Sequence, residues 1–225
     1  MYQKINTAPI QVPTPIDYKI DEYINQRKII SNLISDYVSP ALTQHLLTVE
    51  CAMYEFASKY DEPETAERWA LAGLLHDIDW DACGKNSDLH CGEQTRTWLA
   101  EAGISKYLIE DACSHYGKLE IDENVFGFEI NAGLAVDTKL RQTLFACDEL
   151  CGFIMACALV RPSKSIMDME VSSVMKKFKD KSFAAQVDRN LIRSAELTLK
   201  TEIKDFVEFT LKSLQKYGEI LEKVK

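Results

Sequence analysis

Residues 70–80 read ALAGLLHDIDW, an apolar run that leads directly into His76 and Asp77. The spacing of its leucines, together with Trp69 just before it, predicts a helix that begins near Glu64 and buries one face. The His-Asp pair then comes at the C-terminal end of this buried helix. These two side chains are therefore candidate functional residues.

The same three-to-four spacing of apolar residues recurs along most of the chain and predicts further helices. Only nine glycines and six prolines interrupt the 225 residues, and three of those prolines lie within the first fifteen positions. Because turn formers are this scarce, the fold class we expect is all-α. The other helices are expected over about 21–40, 41–60, 90–102, 105–116, 138–160, 165–177, 181–187 and 189–218.

A single domain is the organisation we expect for this length and pattern. Residues 1–20 lack a periodic apolar face and are interpreted as an extended N-terminal arm. Residues 21–225 form the helical domain, with a core around a metal site over about 40–160 and C-terminal helices over 165–218. Residues 61–64 are expected to form a loop, and residues 125–128 either a short extended stretch or a packed loop.

Composition excludes several classes of protein. Hydrophobic residues make up 46% of the chain and charged residues 27%, which excludes a disordered protein. The net charge of -9 argues against a nucleic-acid partner, since phosphate backbones require an excess of Lys and Arg. No signal peptide is recognisable, and the apolar stretch 144–160 contains Asp148 and Glu149, so we expect no membrane span.

The seven cysteines form no Cys-x-x-Cys pair, and several of them lie inside apolar runs. An odd number of unpaired thiols in a chain of this size indicates buried free cysteines rather than a disulfide framework. We therefore expect a cytoplasmic protein.

The chain has only four histidines, and two of them have an informative context. His45 lies on the inward stripe of its helix, and His76 adjoins Asp77. Asp148 lies within an apolar helix, where a lone carboxylate is costly to bury. A buried histidine or aspartate is often only a hydrogen-bonded core residue, but two imidazoles and two carboxylates from three helices would suit a divalent ion.

The order His45, His76-Asp77, His90, His115 and Asp148 resembles the H…HD…H…H…D pattern of the HD superfamily of metal-dependent phosphohydrolases. The resemblance covers about residues 40–215. It extends through the following segments: 70–80, 147–154 (CDELCGFI), 161–166 (RPSKSI) and 176–184 (KKFKDKSFA).

The resemblance implies a ligand set for one or two divalent ions, of Mn, Fe, Ni, Co, Mg or Zn. His45, His76, Asp77 and Asp148 would hold the first ion, and Asp77 could bridge to a second. His90 and His115 would supply further ligands for that second ion.

The same resemblance implies hydrolysis of a small phosphoester, a nucleotide or related phosphomonoester, by metal-activated water. Asp77 would take part, and Asp79 and Asp81 are candidates for orienting water or protonating the leaving group, unless they cap turns. Arg161 and Lys164 are candidate phosphate ligands. The resemblance is compatible with a homodimer.

Two other functions are compatible with these residues. Some HD-fold proteins with the six-ligand set are di-iron oxygenases, and this chain has the ligands for that chemistry. The other alternative is a non-catalytic nucleotide-binding or regulatory protein that keeps the fold. The chain also departs from many family members, which carry an arginine shortly before the first histidine, whereas this chain reads ALTQ over residues 41–44.

Overall fold

The computed structural model of the chain describes residues 2–6, 10–60, 65–121, 123–127 and 134–224. Within these ranges the protein is built almost entirely of helices, so the all-α prediction is confirmed. The helices are α1 (Asp21–Tyr37), α2 (Pro40–Lys59), α3 (Ala66–Leu75), α4 (Glu93–Glu101), α5 (Lys106–Cys113), α6 (Lys139–Leu159), α7 (Val171–Lys179), α8 (Arg189–Thr198), α9 (Ile203–Lys216) and α10 (Gly218–Leu221). The loop predicted over 61–64 lies outside the described residues.

Side-chain caps mark where the two longest helices, α2 and α6, begin. Ser39 accepts a hydrogen bond from the Leu42 amide at the start of α2, and Pro40 occupies the first turn, where no amide donor is needed. Thr138 accepts from the Arg141 amide in the same way at the start of α6. These two capped helices carry His45 and Asp148.

The core lies between α2, α3 and α6, which pack against one another. Its largest fully buried side chains include Phe56, Trp69 and Phe153, one from each of these helices. Helix α6 is long and apolar enough to cross a membrane by length and composition, but 61% of that stretch is buried inside the protein. It therefore has the character of a core helix.

Strand β1 (Lys118–Ile121) pairs antiparallel with strand β2 (Asn124–Gly127), so of the two alternatives for residues 125–128 the short extended stretch holds over residues 125–127. Two other parts of the sequence interpretation were wrong. Residues 181–187 form turns and not a helix. The long helix expected over 189–218 is divided into α8 and α9, and the left-handed backbone of Lys200, with φ 51°, marks the break.

The N-terminal arm lies against the helices. Ile16 and Tyr18 are buried, and the Tyr18 hydroxyl donates to Glu50. Arg27 of α1 donates both to Glu50 and to the carbonyl of Pro13. Contacts with α1 and α2 thus anchor the arm.

Candidate metal centre

The first ligand set comes from three core helices. His45 lies in α2, Asp148 in the middle of α6, and His76 immediately after the last residue of α3. The Nε2 atoms of His45 and His76 are 3.2 Å apart, and Asp148 Oδ1 lies 2.9 Å from the first and 3.2 Å from the second. The structure therefore brings these three predicted ligands to one point.

The second ligand set lies beside the first and includes Asp77. The Nε2 atoms of His90 and His115 are 3.1 Å apart, and Asp77 Oδ1 lies 3.2 Å and 3.1 Å from them. The other oxygen of the same carboxylate, Oδ2, faces the first set, at 3.7 Å from His76 Nε2 and 4.0 Å from His45 Nε2. Asp77 thus lies between the two sets, in the bridging place that the resemblance implies.

A glycine allows the first set to form. A Cβ atom on Gly73 of α3 would lie 2.8 Å from the Val49 carbonyl oxygen of α2, a distance that real Cβ atoms essentially never show. The two helices can therefore approach this closely only where the residue has no side chain. This close approach sets His76, three residues after Gly73, opposite His45.

Backbone carbonyls determine which nitrogen of each ring faces the centre. His76 Nδ1 lies 2.6 Å from the Gly73 carbonyl, and His115 Nδ1 lies 2.7 Å from the Ala112 carbonyl. A carbonyl oxygen only accepts, so each Nδ1 carries the proton, and in the neutral ring Nε2 presents its lone pair to the centre. Outer hydrogen bonds of this kind are typical of histidines that bind metals.

The donor set fits divalent cations. Lone pairs of imidazole nitrogens and carboxylate oxygens converge on each other, and such acceptors repel unless positive charge lies between them. Neighbouring ligand atoms of an octahedral ion with bonds of about 2.1 Å are about 3.0 Å apart, and opposite ones about 4.2 Å. The separations of 2.9–4.0 Å in the first set and 3.1–3.2 Å in the second lie in this range.

The electrostatics of the site also favour positive charge. Burial alone would lower the pKa of His76, but Asp77 and Asp148 raise this pKa to about 9. Burial would raise the pKa of Asp148, yet the neighbouring His76 and His45 hold that pKa well below its usual range. His76 likewise holds the pKa of Asp77 well below its usual range against the effect of burial, so both carboxylates are ionised.

Asp79 does not face the site. Its side chain is 0% exposed, and both of its oxygens make hydrogen bonds within the protein. Oδ1 lies 2.8 Å from His90 Nδ1, and Oδ2 accepts from the Cys91 amide and the Thr95 hydroxyl. The left-handed backbone of Cys91, with φ 55°, turns that amide towards Asp79. Asp79 is therefore absent from the described residues that line the metal cavity, and its two oxygens contact His90, Cys91 and Thr95 instead.

Asp81 and the two predicted phosphate ligands also lie elsewhere. Asp81 accepts from the Ser39 amide and so ties its loop to the start of α2. Arg161 follows Asp148 by thirteen positions, about 20 Å along a helix, and pairs with Asp168. Lys164 is exposed beyond Arg161. Asp81, Arg161 and Lys164 are therefore absent from the described residues that line the metal cavity.

A cavity of about 290 Å³ opens onto the two ligand sets. Besides four predicted ligands it is lined by side chains that the sequence interpretation did not assign to the site: Trp80, Tyr116, Glu149, Gln186 and Leu191. Burial and the charge of Asp148 raise the pKa of Glu149 to about 8. Its position beside Asp148 was a usable signal, whereas nothing in the local sequence pointed to Gln186.

All seven cysteines are free and buried, as predicted. Cys91 Sγ lies 3.7 Å from His90 Nε2, so a thiol borders the second ligand set. Burial raises the pKa of Cys91 well above its usual value, which keeps this thiol protonated.

Comparison with protein-family models, with curated proteins and with solved structures finds no match for this chain. The interpretation of its function therefore depends on the residues and their geometry.

Proposed function

We propose that the protein is an HD-type metal-dependent phosphohydrolase that releases phosphate from a small phosphomonoester. The observation that carries this proposal is the carboxylate of Asp77, which offers one oxygen to each of two adjacent sets of imidazole and carboxylate ligands. Two divalent ions held side by side are the arrangement used for in-line displacement at phosphorus.

His45, His76 and Asp148 would hold the first ion, His90 and His115 the second, and Asp77 would bridge them. Ions held by these residues would supply a water whose pKa is lowered from about 16 towards about 7. The water oxygen would then bond to phosphorus as the P–O ester bond breaks, and a proton of that water would pass to the leaving alcohol. The protein's contribution is to orient the ligands through the carbonyls of Gly73 and Ala112 and through Asp79.

Charge at the cavity favours one phosphoryl group over several. The described residues that line the cavity include Asp77, Asp148 and Glu149 but no Lys or Arg. In the parts of the chain that the structure does not describe, the one basic residue is Lys225. The positive charge that meets the substrate must then come from the two ions. A diphosphate or triphosphate would carry further negative charge, which no Lys or Arg among the described residues that line the cavity would pair.

The cavity wall suits a small organic body. Trp80 and Tyr116 line the cavity with aromatic surface next to His90, with ring centroids 5.1 Å and 4.6 Å from it. Glu149 and Gln186 offer hydrogen-bonding groups for hydroxyls or amides of that body. A volume of about 290 Å³ is at the small end for a ligand pocket.

The test is metal analysis and phosphate release on the same preparations. Wild type reconstituted with Mn²⁺, Fe²⁺, Co²⁺, Ni²⁺ or Mg²⁺ should bind about two ions per chain and release phosphate from sugar and nucleoside monophosphates. Asp77→Ala should lose both ions and the activity. Asp81→Asn is the matched control, because it changes a carboxylate of the same loop that faces Ser39 instead of the ligands.

Two results would contradict the proposal. A protein that binds two ions but releases no phosphate from a broad panel of monoesters would not be a phosphohydrolase. A protein that binds no ion with any of these metals would be the non-catalytic alternative.

An oxygenase is the second candidate, and one observation favours it. Asp77, His90 and His115 form a set of two histidines and one carboxylate, with ligand atoms 3.1–3.2 Å apart, a set that non-haem iron oxygenases also use. Parallel assays of the Fe²⁺-loaded protein with and without O₂ separate the two. Phosphate release that is independent of O₂ supports hydrolysis, and substrate-dependent O₂ consumption supports the oxygenase.

A further inference from the structure

Residues 2–6 of the arm reach the buried side chains that hold His90, a ligand of the second set. The amides of Ile5 and Asn6 donate to the Asp36 carbonyl near the end of α1, at 3.0 Å and 3.2 Å. The Asn6 side chain donates to the carbonyls of Ser35 and Val38. These bonds hold residues 2–6 across the C-terminal end of α1.

Tyr2 is buried at the inner end of this segment. Its ring packs edge-to-face on Trp98 with centroids 5.0 Å apart, and its hydroxyl lies 2.7 Å from Thr95 Oγ1. Thr95 Oγ1 lies 2.5 Å from Asp79 Oδ2, and Asp79 Oδ1 lies 2.8 Å from His90 Nδ1. A continuous series of buried contacts therefore joins the arm to a metal ligand.

The direction of these hydrogen bonds follows from the chemistry of each group. An ionised carboxylate only accepts, so Asp79 accepts from His90 Nδ1 and from the Thr95 hydroxyl. Thr95 has a single proton, which is used on Asp79. Tyr2 must therefore donate its proton to Thr95, and aligned hydrogen bonds of this kind polarise and strengthen one another.

We propose that Tyr2 and Thr95 are positioning residues for the second metal position, so that docking of the arm and occupancy of that position are coupled. Tyr2 orients Thr95, Thr95 holds one oxygen of Asp79, and Asp79 holds the ring of His90 with Nε2 towards Asp77 and His115. Coupling of this kind is reciprocal: the docked arm raises the affinity for the second ion, and the ion stabilises the docked arm. The inference rests on the metal centre of the proposed function and not on its phosphoester chemistry.

The test is a titration of the metal-free protein with Mn²⁺, in which free Mn²⁺ is measured by electron paramagnetic resonance. Tyr2→Phe keeps the ring on Trp98 and removes only the hydroxyl. Tyr37→Phe is the matched control, because Tyr37 packs on the same Trp98 at the same 5.0 Å but has no part in the contacts to Asp79.

We expect wild type to bind two ions and Tyr2→Phe to bind the second about three- to tenfold more weakly, the effect of losing one hydrogen bond in the outer support of a ligand. Thr95→Val should weaken the second ion at least as much. Neither change should alter the first ion, and Tyr37→Phe should alter neither.

The reciprocal effect, stabilisation of the docked arm by the second ion, is measured as the rate of trypsin cleavage. Cleavage after Lys4 releases Tyr2, and the next Lys or Arg along the chain is Lys19. The second equivalent of Mn²⁺ should slow cleavage after Lys4 in wild type about three- to tenfold, and not in Tyr2→Phe.

The outcomes separate this inference from the proposed function. Two ions bound equally by wild type, Tyr2→Phe and Thr95→Val would overturn the coupling and leave the metal centre intact. Equal losses in Tyr2→Phe and Tyr37→Phe would assign Tyr2 a purely structural role. Wild type that binds one ion or none would overturn the coupling together with the dinuclear centre.

Discussion

The two ligand sets are built in different ways, although they share Asp77. The first set comes from residues on or next to α2, α3 and α6, whose positions follow from packing in the core. The second takes His90 from a loop and His115 from a single 3-10 turn, Ser114–Tyr116. Hydrogen bonds from Asp79 and the Ala112 carbonyl orient these two rings.

The solvent exposure of the ligand side chains also differs between the two sets. In the first set the side chains of His45 and Asp148 are 22% and 19% exposed and that of His76 is 0% exposed, whereas those of His90 and His115 are 2% and 4% exposed. The first position is thus supported mainly by packed helices, and the second mainly by hydrogen bonds to buried side chains. Changes in core packing should affect the first position more, and changes in outer hydrogen bonds the second.

The largest effect is expected from removing a ligand of either position. His45→Ala should leave one bound ion and lower phosphate release about a thousandfold, since about 4 kcal/mol of transition-state stabilisation is lost with that ion. His115→Ala, the matched change at the second position, should also leave one ion. Elemental analysis and initial rates measure both, and loss of both ions in either variant would show that the positions are not independent.

The next largest effect is expected at the outer support of the second position. Asp79→Asn should weaken the second ion about 10–100-fold, because the amide no longer holds the His90 ring as a carboxylate does. The first ion should bind as in wild type. Calorimetric titration measures the affinity of each ion separately. Weaker binding of the first ion would contradict the prediction that Asp79 supports the second position alone.

Core packing provides the complementary test. Gly73→Ala places a methyl group against the Val49 carbonyl and should destabilise the protein by about 1–3 kcal/mol, with the first ion weakened more than the second. Gly152→Ala is the control, because its Cβ would meet only the His45 ring, at 4.0 Å, and should stabilise α6 by about 0.5–1 kcal/mol. Urea unfolding with and without metal measures both, and equal stability of the two variants would contradict the close-approach argument.

The smallest effect is expected at Arg161 and Lys164. The double variant Arg161→Ala with Lys164→Ala should change KM for a monophosphate by no more than about twofold, as for surface changes away from the site. Steady-state kinetics with a substrate of the monophosphate panel provides the measurement. A larger rise in KM would restore the phosphate-binding role that the sequence pattern had suggested.

Sequence reasoning succeeded where burial and periodicity coincide. Helices α1, α2 and α6 lie close to their predicted bounds because each has a long apolar stripe. It failed where local hydrogen bonds override periodicity. Arg189 donates to the carbonyls of Phe178, Asp180 and Phe183 and so holds turns in the segment that was predicted to be helical over 181–187.

The same limit applies to the carboxylates after His76. Asp77, Asp79 and Asp81 alternate along one short stretch, and nothing in their spacing shows which of them faces the cavity. In the folded chain Asp77 lies between the ligand sets, Asp79 binds His90 from behind, and Asp81 binds Ser39. Their environments, and not their residue type, assign these roles.

The sequence by itself determined the helical fold class, because apolar periodicity is a local property of the chain, and the resemblance of its order of histidines and aspartates to the HD pattern named the six residues that the structure brings together. Only the tertiary structure decided which residues support and line that centre. Tyr2 and Thr95 are 93 positions apart, and Gln186 approaches the ligands only through the turns before α8. Contacts of this range depend on how the helices pack, and no local pattern encodes them.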